Sequence, residues 1–238
     1  MVYFSRDDLE TIADRIIEQY KHAFVPERHL CYQVDPTQLA SLLGFHIEYV
    51  NITKDGSILG QTSSGSIWVP IIGPDQQEIL YLLDGKTILV EERLLLSQNC
   101  IGRKNFTIAH ELAHQILNQG FPQAYGSQCR TFCDYRRSTK KRKQITDWYE
   151  WQADALAAAL LLPGDALLDS MFLFGLGDKM KVLSKKYSPN NYERFCNMAE
   201  FFQVSKTALS YRMEQLGLLE RNYLLKEAAQ VVTCNSNA

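Results

Sequence analysis

The fold of this protein is decided by residues 105–119, whose sequence is NFTIAHELAHQILNQ. They contain His110, Glu111 and His114 in the HExxH pattern. Residues four apart lie on one face of a helix, one turn apart, so both imidazoles can point at one spot with Glu111 beside them. In this motif two neutral imidazoles bind zinc and the glutamate is the general base toward a zinc-bound water. The stretch therefore predicts a helix that carries half of a zinc site.

The alternative is an ordinary helix with two solvated or core histidines. Apolar residues are spread around most of this helix, which predicts that it is largely buried. Buried histidine and glutamate side chains need polar partners, and a metal supplies them. The apolar positions are Phe106, Ile108, Ala109, Leu112, Ala113, Ile116 and Leu117.

A catalytic zinc usually takes a third protein ligand and keeps one position open. The metzincin class would place a histidine at position 120, which is Gly120, so that class is excluded. The remaining histidines, His22, His29 and His46, all precede the motif and are expected in the core or at the surface. Downstream carboxylates are therefore the source of the third ligand.

Glu150 is the best candidate, because it is the first glutamate after the motif and lies on an alanine-rich apolar helix. Asp154 lies one turn further, on the same face. Glu150 can bind zinc while Asp154 accepts a hydrogen bond from the far ring nitrogen of one zinc histidine, which fixes its tautomer. Asp147 and Asp134 are rivals for the ligand position. The alternative in which Glu150 only caps the helix and Asp154 is a surface residue stays open.

Composition places the chain among globular proteins without an export signal. It has 238 residues, 46% apolar and 22% charged, with a formal net charge of −2. Nothing in this balance implies nucleic acid at the level of the whole chain. Residues 1–10 carry charge where a signal peptide needs an apolar core, and the apolar run at 155–162 is too short to span a bilayer. Six cysteines without a framework spacing are expected to be reduced thiols, so we expect a cytoplasmic protein that does not bind membranes.

The first half of the chain predicts an α+β fold with a small antiparallel sheet packed on the HExxH helix. Asp84-Gly85 predicts a two-residue hairpin between the last two strands. The glycines and serines of 56–65 predict a loop, and 99–104 a connector. The predicted helices are 5–23, 35–43 and a short one at 92–98, and the predicted strands are 45–50, 66–72, 79–83 and 86–91.

The second half predicts a polar loop and then helices. Residues 120–146 contain a basic run at 136–143, either a solvated loop or a patch for nucleic acid or an acidic partner. A helix over 147–162 follows, and helices at 191–202 and 205–216 have a helix–turn–helix-like spacing. We predict a metallopeptidase domain over residues 1–175 and a helical, helix–turn–helix-like region over 176–238.

The sequence resembles the ImmA/IrrE family of bacterial zinc metallopeptidases over about residues 35–220. Arg103, 106–114 and 150–154 carry the likeness, with 157–158, 161–163 and the tail segment 204–218. The resemblance implies a small gluzincin with a thermolysin-like sheet and helix pair and with Glu150 as third ligand. It also implies a substrate, a helix–turn–helix transcriptional repressor, whose cleavage switches on genes of a mobile element or a stress response. The family often has Asn at the position of Asp154, and the loop 120–146 is longer and more basic than usual.

The leading hypothesis is a zinc endopeptidase with Glu111 as general base and His110, His114 and Glu150 as ligands; Mn or Fe fit nearly as well as zinc. We expect the substrate backbone to add to a sheet edge near 86–91. The motif does not identify the oxyanion stabiliser; a Tyr or Arg, such as Tyr125, Tyr149 or Arg137, would have to serve. One alternative is a DNA-binding regulator with a structural metal, although the last helix offers only Lys206 and Arg212 as basic residues. Another is an inactive protein that binds and sequesters a repressor.

Overall fold

A computed structural model describes residues 4–25, 32–96, 100–122, 133–136 (backbone) and 148–224. The chain forms two compact units. Unit 1 comprises Met1–His29 and Val34–Leu161, and unit 2 comprises Leu30–Gln33 and Leu162–Ala238. The second unit thus begins earlier than the predicted boundary at 175. The assignment of functions to the two parts stays a prediction.

The N-terminal helices lie where the sequence predicts them. Helix α1 is Arg6–Phe24, and Ser5 forms a reciprocal capping box with Asp8. Helix α2 is Pro36–Leu42, and the side chain of Asp35 caps it. Gly44 follows with φ of +79°, the left-handed conformation that suits glycine after a helix. Local capping chemistry therefore fixes both helices.

The central sheet of unit 1 is mixed, so the prediction of a purely antiparallel sheet is wrong. Its strand order is β1-β5-β2-β6, and β1 pairs with β5 in parallel. Strand β2 was predicted as loop and β6 lies inside the predicted polar loop. The strands are β1 His46–Val50, β2 Ile58–Thr62, β5 Thr87–Glu91 and β6 Cys133–Arg136.

A separate hairpin of β3 (Ser66–Ile72) and β4 (Glu78–Asp84) packs on this sheet. The hairpin predicted at Asp84-Gly85 is wrong, because β4 pairs with β3 whereas β5 pairs with β1 and β2. The turn itself forms: Asp84 Oδ1 accepts hydrogen bonds from the backbone N–H groups of Lys86 and Thr87. It carries the chain from the hairpin into the sheet. Leu89 of the sheet joins a small core with hairpin residues Val69, Ile71 and Leu83.

The core of unit 1 surrounds helix α3, Ile101–Gly120, which begins four residues before the predicted start and replaces the predicted connector. A 3-10 turn, Glu92–Leu95, precedes it. All residues from 107 to 115 are buried. Helix α3 contacts β2, β5 and β6 as well as helix α4, Trp148–Leu161, and α4 also contacts α1. The HExxH helix therefore lies within the core.

The described part of unit 2 up to Tyr223 contains three helices and a two-stranded parallel sheet that the sequence did not predict. Gln203 and Gly217 adopt positive φ just after two of these helices. The elements are α5 Gly164–Leu173, β7 Met180–Leu183, α6 Pro189–Phe201, α7 Lys206–Gln215 and β8 Leu219–Asn222.

None of the helices in the described ranges is by itself both long and apolar enough to cross a bilayer. Within the part of the chain that the structure describes, one pair of helices, α4 and α5, meets the same criteria of length and hydropathy when counted together across the bend between them.

Candidate metal centre

Helix α3 presents the motif side chains inside the protein. His110 and Glu111 have no exposed surface and His114 is 2% exposed. The ring centroids of the two histidines lie 4.7 Å apart, as expected for residues one helical turn apart. Burial removes water as a partner for these polar groups, so the neighbouring elements must supply their interactions.

Helix α4 brings two carboxylates to these histidines. Its alanines let the two helices approach closely, and Ala153 and Ala157 are fully buried. Glu150 lies in the first turn of α4, and Asp154 follows one turn later. The side chain of Glu150 is 40% exposed and that of Asp154 is 55% exposed. Helix α3 thus contributes buried imidazoles, and α4 contributes carboxylates that border solvent.

The donor atoms converge on one point. His110 Nε2 lies 3.1 Å from His114 Nε2 and 3.2 Å from Glu150 Oε2, and His114 Nε2 lies 3.5 Å from Glu150 Oε1. In a tetrahedral site with zinc bonds of about 2.0–2.1 Å, neighbouring donor atoms lie about 3.3–3.4 Å apart. The three separations lie close to this value, with each histidine facing a different oxygen of Glu150, and each residue offers one donor atom within 4.8 Å of the others. The residues present therefore fit a single small cation.

Asp154 fixes the tautomer of the first histidine. Its Oδ1 lies 2.9 Å from His110 Nδ1, so this ring nitrogen donates to the carboxylate. The lone pair of a neutral His110 is then left on Nε2, the atom that faces His114 and Glu150. The structure thus brings together His110, His114, Glu150 and Asp154, while Glu111 lies beside His110 on the same buried helix. The ligand, orienting and base roles of these residues stay predictions.

Charges in the metal-free centre are distributed unevenly. Burial lowers the pKa of His110, but hydrogen bonds to Asp154 and Glu150 outweigh it and raise that pKa to about 10. Burial also lowers the pKa of His114, and the hydrogen bond to Glu150 does not compensate. Burial raises the pKa of Glu150, but the hydrogen bonds to both histidines lower it far more. Without metal at neutral pH, these shifts favour a positively charged His110 with both ring nitrogens protonated, a neutral His114 and an ionised Glu150.

Strand β2 lies directly against Glu111. A Cβ atom at Gly60 would lie 2.8 Å from both Cγ and Oε1 of Glu111 and 2.6 Å from Cγ2 of Thr107. A glycine at this position lets the backbone of β2 approach the helix. The sequence gives no signal for this role of Gly60, because the glycine- and serine-rich surroundings predict a loop.

Gln115 ties the motif helix to the same strand. Its Nε2 donates hydrogen bonds to Thr62 Oγ1 and to the carbonyl oxygen of Ser63, the latter at 2.8 Å. Gln115 is fully buried and Thr62 is 1% exposed. Sequence analysis did not single out this contact, since one glutamine beside a motif carries no signal of its own.

The other predicted candidates are less well placed or lie elsewhere. Tyr149 lies in the first turn of α4 and is half-buried, whereas Tyr125, Arg137, Asp147 and most of the basic run 136–143 lie outside the described residues. The structure describes only the backbone of Asp134, in β6. A cleft of about 480 Å³ in unit 1 is lined by none of the three candidate metal ligands and does not belong to this site.

Comparison with known proteins agrees with the geometry. The model of the Peptidase M78 family, described as an IrrE N-terminal-like domain, matches residues 81–214. The matched range is more than half of the chain and includes both helices that carry the site. No curated protein matches the chain.

Proposed function

Because the chain belongs to the Peptidase M78 family of IrrE N-terminal-like domains, we propose that it is a zinc-dependent endopeptidase. The convergence of His110, His114 and Glu150 donor atoms within 4.8 Å supports this proposal most directly. Two nitrogen donors and one carboxylate, with solvent on the Glu150 side, are the ligand set of catalytic zinc. Mn or Fe would also fit this set, so the metal is part of the proposal.

The chemistry divides between the metal and Glu111. When bound, zinc acidifies a water and polarises the scissile carbonyl group. The carboxylate of Glu111 takes the proton of the attacking water and passes it to the nitrogen of the leaving amine. Asp154 holds the ring of His110 with Nε2 toward the ligand cluster. The close approach of Gly60 limits the positions that the Glu111 carboxylate can take.

The substrate is proposed to bind as an extended strand, but not where the sequence suggested. The edge predicted at 86–91 does not exist, because β5 lies between β1 and β2. Within the described residues, β6 pairs with β2 alone and contacts α3, so its outer edge is the sheet edge nearest the motif helix. Backbone pairing at such an edge accepts many sequences, which suits a peptidase that recognises a protein segment.

We further propose that the substrate is a helix–turn–helix transcriptional repressor, as the family resemblance implies, so that cleavage derepresses mobile-element or stress genes. The position of Arg212 argues against the alternative of a DNA-binding regulator. This residue is 1% exposed and donates from Nε to the carbonyl oxygen of Leu162. Of the two basic residues predicted for the last helix, only Lys206 remains on the surface for a phosphate contact.

The decisive experiment uses Glu111→Gln. Repressors encoded beside the gene are incubated with zinc-, manganese- or iron-loaded protein, and products are identified by intact mass spectrometry. We expect the wild type to cut one of them, and Glu111→Gln to keep one equivalent of metal but lose cleavage. Glu78→Gln, on the exposed part of β4, is the matched control and should cut normally.

Two results would change the proposal. If Glu111→Gln cuts as fast as the wild type, Glu111 is not the base. If metal-loaded wild type binds a repressor tightly but leaves it intact, the protein acts by sequestration. Steep salt-dependent binding of random duplex DNA in gel shifts would instead favour the DNA-binding alternative.

A further inference from the structure

The two helices that carry the candidate ligands are separated in sequence by residues 121–147. The relative position of their ends therefore depends on contacts with other parts of the chain. One such contact comes from Phe4, just before α1. The ring of Phe4 lies 4.6 Å from that of Phe121, which follows the last residue of α3. Its backbone N–H donates a hydrogen bond of 3.0 Å to Oε1 of Gln152 in α4. One residue thus touches the end of α3 and the start of α4.

Gln152 continues this connection into the turn that carries Glu150. Its side-chain Nε2 donates to the carbonyl oxygen of Trp148, the first residue of α4, at 2.9 Å. The residue is 2% exposed. Both ends of the carboxamide are therefore used, one on the N-terminal segment and one on the first turn of α4. Burial makes the loss of either hydrogen bond costly.

The first turn of α4 needs such support. The first N–H groups of a helix have no partners within the helix, and helix ends fray more readily than helix centres. Glu150 is the third residue of α4, whereas His110 and His114 lie in the buried middle of α3. Of the three candidate ligands, Glu150 is therefore the one whose backbone is least fixed by its own helix.

Phe4 can provide a fixed reference because it is itself held in place. It is 9% exposed and directly precedes Ser5, whose capping box with Asp8 fixes the start of α1. Helix α1 also packs along α4. The direction of the Phe4 N–H group is thus set by α1 rather than by the helix that it supports.

We propose that Phe4 and Gln152 are positioning residues of the metal centre, which hold the first turn of α4 against the end of α3 and so set the distance from the Glu150 carboxylate to the two imidazoles. This inference rests on the proposed function in that the centre binds zinc. In this proposal both residues act through the backbone of α4.

The test compares Gln152→Leu and Phe4→Ala with the wild type. Zinc dissociation constants are measured by competition with a chelator at constant pH and well below the unfolding temperature. We expect both variants to bind zinc ~10–100-fold more weakly, as when groups that orient a ligand are removed. Gln38→Leu is the control. Gln38 lies on α2, and its side chain also accepts a hydrogen bond from α1, donated by the Tyr20 hydroxyl group. This variant should stay within about threefold of the wild type.

Milder variants separate positioning from folding. Gln152→Glu keeps an acceptor for the Phe4 N–H group and Phe4→Leu keeps an apolar contact, so each should recover part of the lost affinity. A purely structural role would lower the urea midpoint of unfolding but leave the zinc affinity of the folded protein unchanged. Zinc affinities of Gln152→Leu and Phe4→Ala within threefold of the wild type would therefore overturn the proposal.

Hydrogen exchange on the metal-free protein gives an answer that does not depend on zinc. We expect Gln152→Leu to accelerate exchange of amides in the first two turns of α4 at least tenfold, with little change in the centre of α3. Equal acceleration in both helices, or in neither, would overturn the proposal. If the wild type binds no metal, the proposed function fails, and this exchange measurement still decides whether Phe4 and Gln152 hold α4.

Discussion

Replacing Gly60 by alanine tests how closely strand β2 constrains the motif helix. The added methyl group would lie 2.6 Å from Thr107 Cγ2 and 2.8 Å from Cγ and Oε1 of Glu111. These distances are about 0.6–0.8 Å shorter than an ordinary contact of 3.4 Å. Thr107 and Glu111 have no exposed surface, so neither side chain can turn into solvent. The strand and the helix must therefore separate, or Glu111 must move.

The expected cost follows from these distances. Inserting one methyl group into a close-packed core costs ~1–3 kcal/mol of unfolding free energy, and we expect Gly60→Ala to fall in this range. A displacement of Glu111 by ~1 Å would lower the rate of cleavage ~100-fold. Zinc affinity should change less, because the three atoms nearest to the added methyl group belong to Thr107 and Glu111 and not to a candidate ligand. Activity should therefore fall much further than metal binding.

Urea unfolding of four proteins tests this reasoning: wild type, Gly60→Ala, Thr107→Ser and the double variant. Serine lacks the Cγ2 methyl group with which the new alanine would clash. Thr107→Ser should therefore destabilise the Gly60→Ala protein less than it destabilises the wild type, or even stabilise it. We expect a coupling free energy of at least ~0.5 kcal/mol. Gly65→Ala is the control, since a Cβ atom there meets nothing within 4 Å. Additive effects, or a Gly60→Ala protein as stable as Gly65→Ala, would refute the close approach of β2 to α3.

Three further outcomes are expected. Asp154→Ala should weaken zinc binding ~10–100-fold, because the ring of His110 loses the carboxylate that orients it. Glu150→Ala removes a candidate ligand and should weaken zinc binding further. Competition with a chelator measures both affinities. Zinc at 100 times its dissociation constant should raise the unfolding free energy of the wild type by ~2.7 kcal/mol relative to the same protein in EDTA. Thermal unfolding measures this difference, and His114→Ala should not show it. Arg212→Met should lower the unfolding free energy by ~1–3 kcal/mol because it leaves a buried carbonyl oxygen without its donor, while the exposed Arg221→Met should change it by less than ~0.5 kcal/mol.

Predictions that depend on local spacing agree with the structure. The i, i+4 spacing of His110 and His114 needs only a helix to bring the rings together, and the same holds for Glu150 and Asp154 on α4. Capping residues such as Ser5 and Asp35 likewise act within one turn. In each case the relevant energy comes from residues that are neighbours in sequence, so the pattern can be recognised without the fold.

Predictions that depend on long-range pairing failed. Asp84-Gly85 forms the turn that its chemistry favours, but the strand after it joins β1 and β2 instead of folding back on β4. Strand β2 is buried along nearly its whole length, so it shows no alternation of apolar and polar residues, and Gly60 makes it resemble a loop. Which strands meet is decided by packing against α3 and the hairpin, and no short window of sequence contains that information.

The contact of Phe4 with Gln152 shows the same limit within the site. These residues are 148 positions apart in the chain, and neither belongs to a recognisable pattern of metal-site residues. The sequence could name the groups that would touch a metal because their chemistry restricts them to a few residue types. It could not name the groups that hold them in place, because an ordinary phenylalanine and glutamine suffice for that role.

The distribution of exposure across the centre explains why support for α4 matters more than support for α3. His110 and His114 lie in the middle of a helix whose neighbouring residues are all buried, so their backbone positions are fixed by packing on several sides. The Glu150 side chain is 40% exposed and lies in a first turn. In the proposed function, solvent access there leaves room for a water and a substrate carbonyl, so burying the carboxylate would block the reaction. If the Glu150 side has to stay open to solvent, Glu150 must be fixed through the backbone of α4. Gln152 and α1 provide contacts to that helix.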